Sequence, residues 1–193
     1  MKKFLVAVLI AAIALVPALA QDNTPDAGSF GITANVSNSQ TRIGVVFHLS
    51  DVLVLRPWVG FSTLSENNDD YYPNDLYDTK KNNYLNLGSD FLYEMKLADS
   101  FLLGLGGQIS YSTSTNTKEY PAYDLVKTDT SFRIGALASA QYFFNPVFGI
   151  YADVGIGMQK YTVNSDNGTT ETGYDETWFG LTTSSLGVVF YVK

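Results

Sequence analysis

The stretch Ile150-Tyr151-Ala152-Asp153-Val154-Gly155-Ile156-Gly157-Met158 decides the fold. Every second residue from Ile150 to Met158 is apolar. Between them stand Tyr151, Asp153, Gly155 and Gly157, with Gln159 just beyond. Successive side chains on a strand point to opposite faces, so this is a β-strand with one oily face. The pattern returns about eight times along the chain. The second face is mostly glycine and aromatic residues, with charges of both signs placed mid-strand. A soluble barrel of the ligand-carrying kind would show a charged outer face, and here the would-be outer face is almost free of charge. The chain therefore reads as all-β: an eight-stranded antiparallel up-and-down transmembrane β-barrel, apolar side to lipid and small or polar side to a packed lumen.

The ends and the composition set the compartment. Lys2 and Lys3 precede an apolar run from Phe4 to Val16, then Pro17 and Ala18-Leu19-Ala20. These are the parts of a secretory signal peptide, which predicts residues 1–20 as signal and 21–193 as the barrel domain. No later run is long and apolar enough for a helical span. The chain has no cysteine, so neither a lipid-anchored cysteine nor a disulfide framework is available. Removing Lys2 and Lys3 takes the net charge from −7 to −9, and an acidic exported chain excludes nucleic acid as a partner.

Further strands follow by the same alternation. The first sends Phe30, Ile32, Ala34 and Val36 outward. The second sends Ile43, Val45, Phe47 and Leu49 outward and Arg42, Gly44, Val46 and His48 inward. The third places Arg56, Trp58 and Gly60 inside, with Pro57 expected near a strand end or a bulge because proline removes a ladder donor. Strands four to six place Asp90 and Glu94, Gln108 and Ser110, and Arg133, Ser139 and Gln141 inside. In the eighth, unbroken alternation would put Gly180, Thr182 and Ser184 on the lipid face, which predicts a bulge there. Short turns near Ser50-Asp51, Ala98-Asp99 and Asn145-Pro146 alternate with polar inserts at Ser65 to Asn82, Thr113 to Asp129 and Asn164 to Glu176. Short periplasmic turns and longer extracellular loops give that order, with both termini on the periplasmic side.

With its leader, eight strands and loop order, the chain resembles the small outer-membrane β-barrel family, the OmpA/OmpX type, over essentially all of residues 21–193. Leu55-Arg56-Pro57-Trp58-Val59-Gly60-Phe61 and Gly187-Val188-Val189-Phe190-Tyr191-Val192 look like family strands. The chain departs from the family in ending on Lys193, with Phe190 and Tyr191 just upstream of the usual terminal aromatic. The resemblance implies the cell outer membrane as location, with outer-membrane lipid and, during biogenesis, the barrel-assembly machinery as partners.

The inward set holds three charges of each sign: Arg42, Arg56 and Arg133 with Asp90, Glu94 and Asp153. Buried charge must be paired, so these predict a salt-bridge network that plugs the lumen. Inward glycines are expected to make room for Trp58, Tyr84 and Tyr151. No catalytic constellation is found. Enzymatic barrels that resemble this one use a histidine at the outer leaflet, and the one histidine, His48, falls at the opposite end. Neither a cofactor motif nor metal-ligand spacing is present, and the loop carboxylates do not follow a Ca²⁺-loop pattern. The remaining signal is in the acidic, Tyr-rich loops: Asp69, Asp70, Tyr71, Tyr72, Tyr120, Tyr123, Asp175 and Glu176. Tyrosine beside Asn, Asp and Ser is the composition of adaptable recognition surfaces. The expected function is non-enzymatic, in adhesion, surface interaction or envelope integrity through an extracellular partner. A narrow solute conduit and a soluble periplasmic ligand carrier are the alternatives.

Overall fold

Alternation becomes structure as eight strands: β1 (Phe30–Ser37), β2 (Gln40–His48), β3 (Leu53–Asn67), β4 (Thr79–Ala98), β5 (Phe101–Glu119), β6 (Asp124–Asn145), β7 (Phe148–Asp166) and β8 (Glu171–Val192). The computed structural model describes residues 24–37, 40–67, 79–119, 124–166 and 170–192. Each strand pairs antiparallel with the next, and β8 returns to β1, from Phe30 opposite Val192 to Ser37 opposite Ser185. A closed ring leaves no unpaired edge in lipid.

The registers also define the stagger. One circuit runs from Tyr151 through Gly187, Asn35, Arg42, Gly60, Asn86, Ser112 and Ser131 and lands on Tyr161, ten residues along the same strand. For eight strands this offset corresponds to a tilt of about 40°, within the usual barrel range.

The faces follow the alternation. Ile32, Ile43, Leu87, Ile109, Ile134, Val154 and Leu186 are exposed on the outside, Val154 at 53%. The oily face is thus outward, the reverse of a soluble barrel built round an apolar ligand. At the short-turn end Phe30 stacks on Phe47, and Tyr142, Phe144, Phe148 and Phe190 form a chain of ring contacts. Phe61, Tyr111, Phe132 and Phe179 are the exposed aromatics nearer the opposite end, so two aromatic belts flank the apolar band. Ser50 and Asn145 side chains accept backbone N–H groups and pin two of the short turns.

The bulge in β8 sits at Thr182. Gly155 of β7 pairs with Thr183 and Ile156 with Leu181, so Thr182 is the extra residue, and both threonines are buried. The extra residue turns Leu181 and Phe179 outward, where unbroken alternation would have put Thr182 and Gly180.

Two expectations are corrected. Pro57 lies at neither a strand end nor a bulge. It sits mid-strand and pairs with Ser89 of β4, while the β2–β3 ladder has a gap opposite it at Val45 and Val46. The missing N–H is thus matched by a break in the β2–β3 ladder, whose register resumes unchanged at Phe47 opposite Leu55. The polar inserts, expected as loops, are strand over residues 65–67, 79–82, 113–119, 124–129, 164–166 and 171–176. Pairing continues to Asn67 opposite Thr79, Glu119 opposite Asp124 and Asp166 opposite Glu171. Beyond the bilayer neither face has to be oily, so the periodic signal vanishes. The run Thr113-Ser114-Thr115-Asn116-Thr117 stays extended even so, because β-branched residues favour a pleated sheet. From Tyr111 to Glu119, β5 climbs roughly 20 Å past the aromatic belt.

Val154→Arg places a charge on the lipid side mid-band and is expected to cost about 2–4 kcal/mol in urea unfolding of the lipid-embedded barrel. Deleting Thr182 removes the bulge while leaving every face as it is, so folding should survive, read as heat-modifiable mobility on a gel. Deleting Gly187 instead turns Leu186 inward and Ser185 and Thr183 outward, and that chain should fail to close.

Candidate functional site

At the short-turn end the lumen is apolar. Val46, Val54, Leu92, Leu102, Leu137, Phe143, Tyr151, Val189 and Tyr191 form one buried cluster. The Tyr191 hydroxyl and His48 Nε2 share a 2.7 Å hydrogen bond, so the histidine is a satisfied structural group. Glu94 accepts a hydrogen bond from Gln141, and His48 Nδ1 lies 3.9 Å from its carboxylate.

Above this plug a polar circuit crosses the lumen. Thr183 Oγ1 of β8 donates to Gln108 of β5 at 2.7 Å, and Gln108 Nε2 donates to Asp90 of β4 at 3.1 Å. Arg56 of β3 donates from one nitrogen to both Asp90 and Asp153, each at 3.0 Å. Ser185 of β8 closes the circuit on Asp153 at 3.0 Å. Arg56 also donates to Ser139 at 3.3 Å and lies over the Tyr151 ring at 4.9 Å. Trp58 adds a 3.4 Å bond to Asp90. Carboxylates bonded in this way have partners for their oxygens away from water.

Two glycines make the large inward side chains possible. A Cβ on Gly88 would collide with the Trp58 indole, and one on Gly187 would lie 2.5 Å from the Tyr151 ring and 2.6 Å from Asn35 Cβ. Over that gap the Tyr151 hydroxyl accepts a 2.8 Å bond from Asn35 Nδ2, linking β7 to β1 across β8.

The expected six-charge network is therefore smaller than the sequence implies. Arg56, Asp90 and Asp153 come together. Glu94 is held by Gln141 instead. Among the described residues, neither Arg42 nor Arg133 has a carboxylate within 4 Å; Arg42 Cζ lies over the Trp58 ring at 4.1 Å. All six do face inward, but the two arginines stand nearer the extended end than the acids, and parity carries no information about height. The uncharged members, Gln108, Gln141, Ser139, Thr183 and Ser185, are not recognisable from the sequence as a network. Their inward parity is the one signal it offers.

At the extended end Asp175 and Glu176 are exposed on β8. Asp175 accepts a 2.6 Å bond from Thr162 and a 3.0 Å ion pair from Lys160, which together hold its carboxyl below the usual range. Asp69, Asp70, Tyr71, Tyr72, Tyr120 and Tyr123 lie outside the described residues. No group of metal-ligating side chains stands together among the described residues.

Asp153→Ala leaves Arg56 with one carboxylate and Ser185 without its acceptor. A loss of about 3 kcal/mol is expected in urea unfolding. Asp153→Asn keeps an acceptor oxygen at the same place and should lose clearly less.

No family model matches the sequence, and no curated protein matches it. Among solved structures the chain is similar to a major outer membrane protein from Thermus thermophilus, at TM-score 0.54 and 14% identity, covering 85% of this chain and 98% of that one. It is also similar to Ail, the attachment invasion locus protein of Yersinia pestis, at TM-score 0.45 and 11% identity over 85% and 95% of the two chains. A third likeness, at TM-score 0.40 and 11% identity over 85% and 98%, is to Acinetobacter baumannii CarO2. With the closed eight-strand order, the likeness to the Thermus protein identifies the fold: a small eight-stranded up-and-down β-barrel of the kind that outer membrane protein has.

Proposed function

We propose that this chain is a non-enzymatic protein of the cell outer membrane that is closed to solutes and works through its extended end, in adhesion or another surface interaction outside the cell. The observation that carries this reading is a contrast between the two halves of the molecule. The lumen is spanned by the Thr183–Gln108–Asp90–Arg56–Asp153–Ser185 circuit above an apolar plug. The strands meanwhile continue well past the aromatic belt, which neither closure nor lipid contact requires.

The extension is an open sheet. The last β1–β2 pair is Ser37 opposite Gln40, and among the described residues β8 above Ser185 and β3 above Gly60 have no ladder partner on that side. Unpaired strand edges are templates for an added strand. The acidic and tyrosine-rich composition of the tips supports the same reading, because it supplies hydrogen-bonding groups on rigid rings.

Protease added to intact cells should trim the tips while the barrel remains protected. Cleavage seen only after the outer membrane is permeabilised would reject the orientation. In planar bilayers the purified, folded protein should give no unit conductance; reproducible channel steps would instead favour the conduit.

A further inference from the structure

We infer that the upper lumen holds a binding site for a phosphate-type oxyanion, formed by Arg42 and Arg133 with Tyr84 and Asn86. This rests on the lumen geometry and is independent of the surface-interaction reading.

The site lies on the circuit that defines the stagger. Arg42 of β2, Gly60 of β3 and Asn86 of β4 are successive register partners, all facing inward. A Cβ built on Gly60 would crowd Thr41 O at 3.1 Å and Arg42 Cγ at 3.3 Å, so the glycine lets the Arg42 stem lie across β3 toward Asn86. Arg133 faces inward from β6, the strand opposite β2 in the ring, two residues from the Ser131 of the same circuit. Neither has a carboxylate within 4 Å among the described residues, and the Nε of each has no hydrogen-bond partner. Asp90 and Asp153 attract Arg42 at longer range, but both are bonded to Arg56.

Like charges facing each other in a lumen are costly, and so are buried polar groups without partners. Here both occur together. Asn86 is fully buried with both amide atoms unpaired, and the buried Tyr84 hydroxyl is unpaired as well. One ligand resolves all of these at once. The Arg42 guanidinium lies over the Trp58 ring at 4.1 Å, and its planar fork of donors suits a tetrahedral oxyanion. Arg133, Tyr84 and Asn86 Nδ2 add donors, and Asn86 Oδ1 accepts the proton of hydrogen phosphate. Access is from the extended end, where Arg133 and Tyr84 are only half-buried.

The test is a titration of the ¹⁵N-labelled full barrel in lipid nanodiscs with inorganic phosphate, against chloride at equal ionic strength. The arginine Nε–H signals and the Trp58 indole N–H, which lies beneath Arg42, are followed. Saturable shifts with phosphate and none with chloride are expected. Arg42→Gln and Arg133→Gln should each weaken binding by about tenfold or more, the loss of a charge-assisted hydrogen bond. Arg133 is half-buried, so its variant keeps the test open where the Arg42 variant does not fold. A parallel titration with glucose 6-phosphate separates the sources. Tighter binding than phosphate assigns the site to a phosphorylated sugar, and weaker or equal binding to the free anion. Shifts that stay linear with phosphate, match those with chloride, or persist unchanged in Arg133→Gln overturn the proposal.

Discussion

The ladder between β1 and β8 is the contact on which the rest depends. A bilayer offers no hydrogen-bond partners, so each backbone group left unpaired there costs several kcal/mol. The seam runs from Phe30 opposite Val192 to Ser37 opposite Ser185, and β1 is among the shortest strands. It is reinforced from inside, where Asn35 and Tyr151 bond across β8 through the space that Gly187 leaves. Closure sets the register, and the register decides which residues share a level in the lumen. The polar circuit through Arg56 depends on that alignment, because it joins five strands and both begins and ends on β8.

Closure also separates the molecule into parts under different rules. Within the apolar band each strand needs one oily face, and the inside has to satisfy whatever polar groups it carries. The short-turn end meets this with apolar packing, the middle with the circuit, and the level above with two arginines lacking ion-pair partners among the described residues. Positive charge therefore stands toward the extended end and negative charge below it, although the six inward charges sum to zero. Past the belt both rules lapse. The strands there are held by backbone pairing and surface contacts such as those of Asp175 with Thr162 and Lys160, and among the described residues β3 and β8 pair there on one side only.

Legibility in the sequence followed those same rules. Wherever a strand met lipid on one side and lumen on the other, alternation identified both faces, as for Ile150 to Met158. The poor fit of Gly180, Thr182 and Ser184 to lipid was enough to foretell the bulge. The signal failed where both faces were apolar. Phe91-Leu92, Leu102-Leu103 and Phe143-Phe144 break the alternation, so the buried Leu92, Leu102 and Phe143 did not stand out as lumen residues. It failed again where both faces were polar, and strands such as Thr113 to Thr117 read as loop. The candidate site was legible as a set of inward residues, but pairing depends on height, and height depends on a stagger that only closure establishes.

The volume of the lumen follows from strand number and stagger, so the interior cannot adapt by swelling. Large side chains are instead matched one to one with missing ones. Trp58 occupies the space over Gly88 and Tyr151 that over Gly187, and Phe143 lies 2.9 Å from where a Gly149 Cβ would be. Each pair joins two strands, so the two positions are energetically one site. Trimming the aromatic leaves a void, and filling the glycine drives the aromatic off its rotamer. Gly88, Gly149 and Gly187 are then evidence of a lumen filled at those levels rather than an open one. An empty lumen would have no use for positions in which a methyl group strikes a ring.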